Sequence, residues 1–302
     1  MKRNIFFVAI IFAIATGCSP KMTSNTNSSK EENSPKEETA AGIKLTKGQK
    51  YLVETKLTTT SNTEMQGQSM ESNADISSAY NIEVNELAGD NYNMTNSMSS
   101  IKMNMSAMGQ NMNFDSDKKE DLDGEMGSTV KNFINKPNPV VMDRSGNIIM
   151  AEETDSVKEE TANNQTAMIL KQMGDPAEQG YGAKMAFIAI PKNAKTGTSW
   201  TDSTSKDGIT RITNYTVKEI NGDTATLSIS GTEKRETKME MQGMEINTNT
   251  NGKFTGEETV DITTGIISKN NTTAEASGTI KVMGQEIPTT VKATSVTTVK
   301  RL

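Results

Sequence analysis

Apolar and polar residues alternate through this sequence over stretches much longer than an ordinary strand. From Met70 to Asn85, one set of alternate positions is mainly apolar or small, and the other set is mainly polar or charged. A period of two predicts a β-strand with one buried face and one solvated face. Segments that begin near Tyr51 and Ile101 show the same period, and short turns separate them. We therefore predict an antiparallel meander of long strands.

Short segments of the first part of the chain recur in the same order in the second part. Residues 47–51, 84–90, 108–110 and 143–149 are echoed at 195–200, 217–223, 241–243 and 261–267. This order indicates an internal duplication over 45–151 and 195–302, so we expect a first β repeat at 43–151 and a second at 195–302. The expected fold class is mainly β, with two duplicated halves that form a curved sheet or half-barrel. Two side-by-side domains are the alternative, and chain length favours one sheet.

The connection between the repeats, residues 152–194, carries a helical pattern. A capping box at Ser156 and Glu159 precedes an apolar-periodic segment at 157–173. A shorter pattern of the same kind lies at 128–134. We expect one or two helices in the connection, packed against the sheet.

The first residues are typical of a secreted lipoprotein. Lys2 and Arg3 precede an apolar run at 5–14, and small residues lead to Cys18, the single cysteine. We predict a signal peptide at 1–17 and a flexible tether at 18–42 that begins with a lipidated Cys18. The tether is rich in Ser, Asn, Thr, Lys and Glu and lacks the apolar residues that a packed core needs.

The expected location is the outer membrane, with the protein anchored by palmitate-type acyl chains and facing the periplasm. Ser19 follows the cysteine without an acidic residue next to it, which argues against retention at the inner membrane. Exposure on the cell surface is the alternative.

Charge and residue types exclude several function classes. The formal net charge is −6, and removal of Lys2 and Arg3 with the signal brings it to −8. This acidity argues against nucleic acid as a partner. The chain has no histidine, and lipidation would consume its one thiol, so the common catalytic triads are excluded. We expect no enzymatic activity, no cofactor and no metal. An acidic segment at 115–125 does not have EF-hand spacing and is interpreted as a solvated loop.

Methionine is the unusual apolar residue of this chain, which contains 20 of them. The simplest interpretation is that methionines fill a core that is short of Leu and Phe. A second interpretation is a curved sheet whose face binds a lipid or another apolar ligand, with Met103, Met105 and Met241 as candidate lining residues. Copper binding by thioethers is a third interpretation, and the alternation of the methionines along strands argues against it.

Several local motifs resemble an uncharacterised lipoprotein family of Bacteroidota, domain of unknown function 6263. They are the Lys-Gly-Gln-Lys-Tyr opening at 47–51, the Met-Gly-Gln hairpins, the Asp-x-x-Gly-x-Ile hairpin at 143–148 and the segment PKNAKTGTSW at 191–200. The resemblance implies a compartment and a boundary but no activity. The expected shape is also similar to that of Lol-type lipoprotein carriers, in which long antiparallel strands form a half-barrel.

The sequence therefore predicts a non-enzymatic envelope lipoprotein. Its expected partners are the membrane, through the lipid anchor, and a lipid, other apolar ligand or client protein on the methionine-rich face. A structural or protein-interaction lipoprotein without a ligand cavity is the alternative. Oligomeric state does not follow from the sequence.

Overall fold

The computed structural model describes residues 40–65, 67–107, 109–151, 180–206, 208–241 and 244–302. Within these ranges the chain forms fourteen strands and three short helices. The strands are β1 (Ala40–Ala41), β2 (Lys50–Met65), β3 (Gln68–Ala88), β4 (Asn91–Ala107), β5 (Gln110–Asp115), β6 (Asn138–Asp143), β7 (Ile148–Ala151), β8 (Ile190–Pro191), β9 (Ser199–Lys206), β10 (Ile209–Asn221), β11 (Thr224–Met241), β12 (Met244–Asp261), β13 (Ile267–Val282) and β14 (Gln285–Arg301). The helices are α1 (Lys119–Leu122), α2 (Glu125–Val130) and α3 (Tyr181–Ala186).

Twelve of these strands form one curved, unclosed antiparallel sheet. Their order across the sheet is β7-β6-β4-β3-β2-β14-β13-β12-β11-β10-β9, and β5 pairs with β4 beside this path. Strands β1 and β8 pair with each other as a separate ribbon. The prediction of a mainly β fold with long antiparallel strands is therefore confirmed, and the two halves share one continuous sheet.

The two halves meet where the first long strand of the sheet pairs with the last. Strand β2 lies antiparallel to β14, with a register that runs from Thr63 opposite Thr289 to Tyr51 opposite Arg301. This pairing lets apolar residues of both halves join one hydrophobic cluster. A single large core suits a chain that is short of large aromatic side chains.

The predicted strand from Met70 to Asn85 lies within β3 in the expected register. Tyr80, Ile82 and Val84 are buried, whereas Asn81 is exposed and Glu83 lies partly in solvent. Glu83 forms an ion pair with Lys50 of the neighbouring strand, with 3.1 Å between the Nζ and Oε2 atoms. The alternation therefore assigned this strand's two faces correctly.

Glycine occupies the hairpin turns that join successive strands at one end of the sheet. Gly67, Gly109, Gly208 and Gly284 have φ values of 77°, 76°, 77° and 82°, which L-residues rarely adopt. Each is the second residue of a two-residue connection, the position at which type I′ turns need a positive φ. Met283 precedes Gly284 with a φ of 50° and is 78% exposed, so its side chain packs against little.

The helices differ from the predicted ones. Helix α2 ends at Val130, and turns rather than a helix carry the chain on to Ile134, which forms a parallel bridge with Met98. The predicted helix at 157–173 lies outside the described residues. Helix α3 lies within the connection 152–194, where one or two helices packed against the sheet were predicted, although no helical pattern was assigned to 181–186. Among the described helices, none is long and apolar enough to cross a membrane.

The predicted N-terminal features lie mostly outside the described residues, including the signal peptide at 1–17 and Cys18. Strand β1 contains Ala40 and Ala41, which the sequence places in the tether. It pairs with β8, and the Ile43 N–H then donates to the Arg144 carbonyl at 2.6 Å. These contacts attach the beginning of the first repeat to the sheet.

Candidate functional site: the inner face of the sheet

One face of the curved sheet is buried almost from edge to edge, and we call it the inner face. It is the face on which helix α3 packs, through contacts with β2, β3, β4 and β13. The Tyr181 ring lies 5.7 Å from the Tyr80 ring, and the Phe187 ring meets the Tyr51 ring edge-on at 5.3 Å. Between them, the Thr55 hydroxyl donates to the Met185 sulfur at 3.5 Å.

The close approach of α3 to the sheet depends on a glycine. A Cβ atom at Gly182 would lie 2.4 Å from the Asn96 Oδ1 atom and 2.8 Å from the Tyr80 Cβ atom. Real Cβ atoms do not come so close to other heavy atoms, and the Tyr80 Cβ atom is fixed to the backbone of β3, so only glycine fits without a shift of the helix. The helix therefore covers one end of the inner face in tight contact.

The first half of the inner face is apolar. Met103 lies between Ile76 on β3 and Phe114 on β5 and is 1% exposed. Met105, two residues further along β4, lies opposite Ala74 and is also buried. These two predicted lining residues therefore share the inner face. Met94 and Met98 continue the same row along β4 and are buried as well.

The third predicted lining residue, Met241, lies far from the other two along the sheet. It ends β11, where its backbone pairs with Met244. Strands β3, β2, β14, β13 and β12 separate β11 from β4 in the sheet order. The Met241 side chain is outside the described part of the structure. Met103 and Met105 thus form one apolar wall on β4, whereas only the backbone position of Met241, at the end of β11, is described.

The second half of the inner face carries buried polar groups that the sequence analysis did not single out. Glu258 is 1% exposed, and its Oε2 atom accepts a hydrogen bond from the Asn270 amide at 2.7 Å. The Thr272 hydroxyl in turn donates to the Asn270 Oδ1 atom at 2.8 Å. The other oxygen of Glu258, Oε1, is buried without a hydrogen-bond partner among the described residues.

Burial changes the proton affinity of two carboxyl groups on this face. Desolvation raises the pKa of Glu258 to about 7; the Asn270 hydrogen bond opposes this shift, and the nearby charge of Asp202 adds to it. Desolvation alone raises the pKa of Asp202, on the edge strand β9, to about 6. Both shifts have the sign expected when water no longer solvates an anion.

A buried charged cluster lies on the same face, nearer the end of the sheet where the glycine-containing hairpins join the strands. Glu233 lies between two guanidinium groups, with its Oε2 atom 3.6 Å from the Arg211 Nη1 atom and its Oε1 atom 3.1 Å from the Arg235 Nη2 atom. The Arg211 guanidinium also stacks over the Phe254 ring, 4.0 Å from its centroid. We call Arg211, Glu233 and Arg235 the arginine cluster.

Threonine hydroxyls complete the polar lining. The Oγ1 atoms of Thr59, Thr250 and Thr289 are buried and have no hydrogen-bond partner among the described residues. Buried polar atoms normally find partners in proteins or in bound molecules. The sequence does carry a signal for inward-facing polar residues on β10. Arg211 and Thr213 alternate in phase with the apolar Tyr215 and Val217 on that strand.

The acidic segment at 115–125 forms local structure on the outside of the sheet. Lys102 binds both Asp115 and Asp117, at 3.2 Å and 2.8 Å, and Asp121 accepts the Asp115 backbone N–H at 2.8 Å. No group of three or more His, Cys, Asp or Glu side chains is placed to hold a metal ion in the described ranges. The segment thus runs from the end of β5 through helix α1 to the beginning of α2.

Comparison with known proteins gives a family and only distant structural likenesses. The sequence profile of DUF6263, a family of unknown function, matches residues 89–267. No curated protein matches the chain. A structure described as showing lipid-protein interactions in lipovitellin is 11% identical, with a TM-score of 0.48, over 85% of this chain and 25% of that chain. The chain thus corresponds to about a quarter of the lipovitellin chain.

Two outer-membrane proteins show weaker structural likenesses. An outer membrane channel from Pseudomonas putida F1 is 7% identical, with a TM-score of 0.25, over 89% of this chain and all of that chain. OccK7 from Pseudomonas aeruginosa is 5% identical, with a TM-score of 0.24, over 84% of this chain and all of that chain. Scores at this level carry no argument about function.

Proposed function

The chain belongs to DUF6263, a family of unknown function, and from the geometry of its inner face we propose that it is a non-enzymatic envelope lipoprotein that holds an amphipathic ligand. The ligand would lie between the apolar wall of the first half and the polar lining of the second half. A lipid or a similar single-tailed molecule has the required combination of tail and head group. The observation that carries this proposal is the set of buried polar atoms without partners on the inner face.

Those atoms are placed where a bound molecule would meet them. Glu258 Oε1 and the hydroxyls of Thr59, Thr250 and Thr289 all belong to residues whose side chains point to the inner face. A buried polar atom without a partner costs about 1–3 kcal/mol, so several on one face call for a bound partner. Ligand sites in proteins typically combine an apolar lining with a few such polar groups.

The small size of the central side chains supports the same proposal. Ala274, Ala276 and Ala293 form the middle of the inner face, and Gly252 lies opposite Ala276. Small side chains in the centre of a wide sheet occupy less of the volume above the sheet than large ones would. In this proposal the ligand's tail runs over these small residues, from the polar half to the apolar wall of Met103 and Met105.

The envelope location rests on the N-terminal sequence. We propose that residues 1–17 are removed and that Cys18 receives the acyl chains that hold the protein at the outer membrane, on the periplasmic side. The chain is acidic, and electrostatic binding to anionic lipid requires clusters of basic residues. Membrane attachment would therefore depend on the acyl chains. An apolar ligand in the periplasm would need a protein to shield it from water.

A structural lipoprotein without a ligand is the second candidate, and one observation favours it. Met94, Met98 and Met103 are each exposed by 2% or less, which is the burial of a packed core. In this alternative the methionines fill gaps between neighbouring side chains. The two candidates differ in whether the centre of the inner face accepts added volume.

Native mass spectrometry of the protein purified from its own membrane tests the proposal directly. A retained mass of several hundred daltons that is released by organic solvent would support ligand binding. Repeated preparations that contain only the acylated chain would contradict it and leave the structural candidate.

A pair of substitutions separates the two candidates. Ala293 points to the inner face, whereas its neighbour Lys292 points to solvent and pairs with Glu275 at 3.2 Å. If the face holds a ligand, Ala293→Phe should keep the fold and block binding of a fluorescent fatty-acid probe, while Lys292→Phe should change neither. If the centre is a packed core, Ala293→Phe should instead lower the stability by about 1–3 kcal/mol, because overpacking forces side chains out of their preferred rotamers.

A further inference from the structure

The arginine cluster places two guanidinium groups beside one carboxylate on a buried surface. The Glu233 carboxylate lies between them, and each of its oxygens faces a different arginine. The side chains of Arg211 and Arg235 are only 6% and 11% exposed. Guanidinium groups donate charge-assisted hydrogen bonds to carboxylate and phosphate groups, so an anion beside this cluster would be stabilised.

Arg211 has a specific donor that its neighbours leave unused. Its Nε atom is buried and has no hydrogen-bond partner among the described residues. The stack on Phe254, at 4.0 Å, holds the plane of the guanidinium in place. A fixed planar guanidinium with a free edge is the geometry that proteins use to bind carboxylate and phosphate groups.

The strands beside the cluster carry small residues. Glu233 lies opposite Gly252 on β12, and Gly252 lies opposite Ala276 on β13. Glycine within a strand often marks a place where a ligand comes close to the backbone. Thr250, opposite Arg235, adds a buried hydroxyl without a partner among the described residues.

We propose that the arginine cluster is the head-group site of the inner face and that its ligand is an amphiphile with an anionic carboxylate or phosphate head. Arg211 Nε and the Thr250 hydroxyl donate hydrogen bonds to the anion. The ligand's tail extends past Gly252 and Ala276 toward the apolar wall. The site rests on the proposed function, because it presupposes that the inner face binds an amphiphile. It adds the charge of the ligand, which the apolar wall alone does not specify.

The test compares ligands that share one tail and differ in the head. A neutral apolar fluorescent probe is bound to the full chain and displaced by palmitate, hexadecyl phosphate or hexadecanol. A charged hydrogen bond should make at least one of the anions effective at a concentration about tenfold or more below that of the alcohol. The relative potency of palmitate and hexadecyl phosphate then distinguishes a carboxylate head from a phosphate head.

Variants show whether Arg211 causes the preference. Arg211→Gln should reduce the preference for anions to within about threefold of the alcohol, without changing the potency of hexadecanol. Arg211→Lys keeps the charge and should retain part of the preference. Glu257→Gln changes an exposed carboxylate that pairs with Lys218 outside the inner face and should retain all of it. If the arginines were only structural, their substitution would lower the melting temperature and leave the preference unchanged.

The outcomes separate this site from the proposed function. Equal potency of anions and alcohol in the wild type, or a preference that survives Arg211→Gln, overturns the head-group site alone. Failure of every amphiphile and of the neutral probe to bind overturns the proposed function as well. If Arg211→Gln does not fold, Thr250→Val decides, because loss of that hydroxyl should weaken the anions and not hexadecanol, and an unchanged preference refutes the site.

Discussion

Val84 and Val217 occupy equivalent positions in the two halves of the sheet. The Val84 carbonyl accepts the Gly48 N–H at 2.8 Å, and the Val217 carbonyl accepts the Gly197 N–H at the same distance. The N–H of each valine donates at 2.9 Å to the turn that precedes its partner strand. A β-bulge follows both valines. This matching is what the sequence echo between 47–51 and 195–200 predicts.

The two equivalent turns should respond equally to substitution. Gly48 and Gly197 have φ values of 83° and 89°, and an added Cβ atom at either would meet nothing within 4 Å. Gly48→Ala and Gly197→Ala should therefore each lower the free energy of unfolding by about 1–2 kcal/mol, because L-residues are strained at this φ. Urea denaturation measures both values. A loss confined to one variant would show that the turns are not equivalent.

The register of β3 is open to a paired test. Ile82 is buried and Glu83 lies partly in solvent. Ile82→Asp should lower stability by more than about 3 kcal/mol or prevent folding, since it places an unpaired charge in the core. Glu83→Lys loses only an exposed ion pair and should cost about 1 kcal/mol or less. Equal effects of the two changes on thermal melting would refute the register.

Stability should fall as the pH rises toward neutrality, and Glu258 should be a main cause. Its pKa is about 7 in the folded protein and 4.5 at its ordinary value, so between these values the folded state holds a proton that the unfolded state has released. The folded state then loses on the order of 3 kcal/mol of stability between about pH 4.5 and pH 7. Asp202, with a pKa of about 6, acts in the same direction at lower pH.

Glu258→Gln tests this assignment. Glutamine is neutral at every pH and its oxygen can still accept the Asn270 hydrogen bond, so the variant should be more stable than the wild type at pH 8 and less dependent on pH. Glu257→Gln is the matched control, because Glu257 lies in solvent and pairs with Lys218. Chemical denaturation at several pH values provides the measurement. Parallel curves for wild type and Glu258→Gln would remove Glu258 as the source.

A triple substitution tests ligand contact at the apolar wall of Met103 and Met105 and at Met241. Replacement of Met103, Met105 and Met241 together by leucine should change stability little, because the volumes are similar. It should alter the relative affinities for apolar probes of different shape, because leucine is branched and adapts less well. Fluorescence titration with a long-chain fatty-acid probe measures this in both proteins. Identical probe preferences in the two would argue that the methionines only pack the core.

The lipid anchor predicts a simple change in location. Cys18→Ser should leave the precursor uncleaved or release the protein from the membrane, because the thiol that carries the acyl chains is gone. Membrane fractionation and mass spectrometry of the N-terminus measure both effects. Acyl groups on the serine variant in the outer membrane would exclude Cys18 as the attachment site. Protease treatment of whole cells then separates a periplasmic from a surface location.

Local sequence determined much of this protein. The period of two through Tyr80, Ile82 and Val84 specified a long strand and both of its faces, because successive side chains of a strand point in opposite directions. The hairpin at 143–147 was also predictable, since the Asp143 carboxylate accepts the backbone N–H groups of Ser145 and Asn147, both at 2.8 Å. Each of these features depends on residues that are close in the chain.

Only the tertiary structure decided how the strands combine and what the inner face contains. The pairing of β2 with β14 joins Glu54 to Lys300 across nearly the whole chain, and no local pattern specifies a partner so distant. The same holds for α3, whose close contact with the sheet depends on the absence of a side chain at Gly182. Arg211 and Glu258 alternate like core residues, but a strand pattern assigns a face and not its burial. The inner face of the curved sheet is shielded from water, and polar side chains buried there need hydrogen-bond partners. This need defines the candidate site.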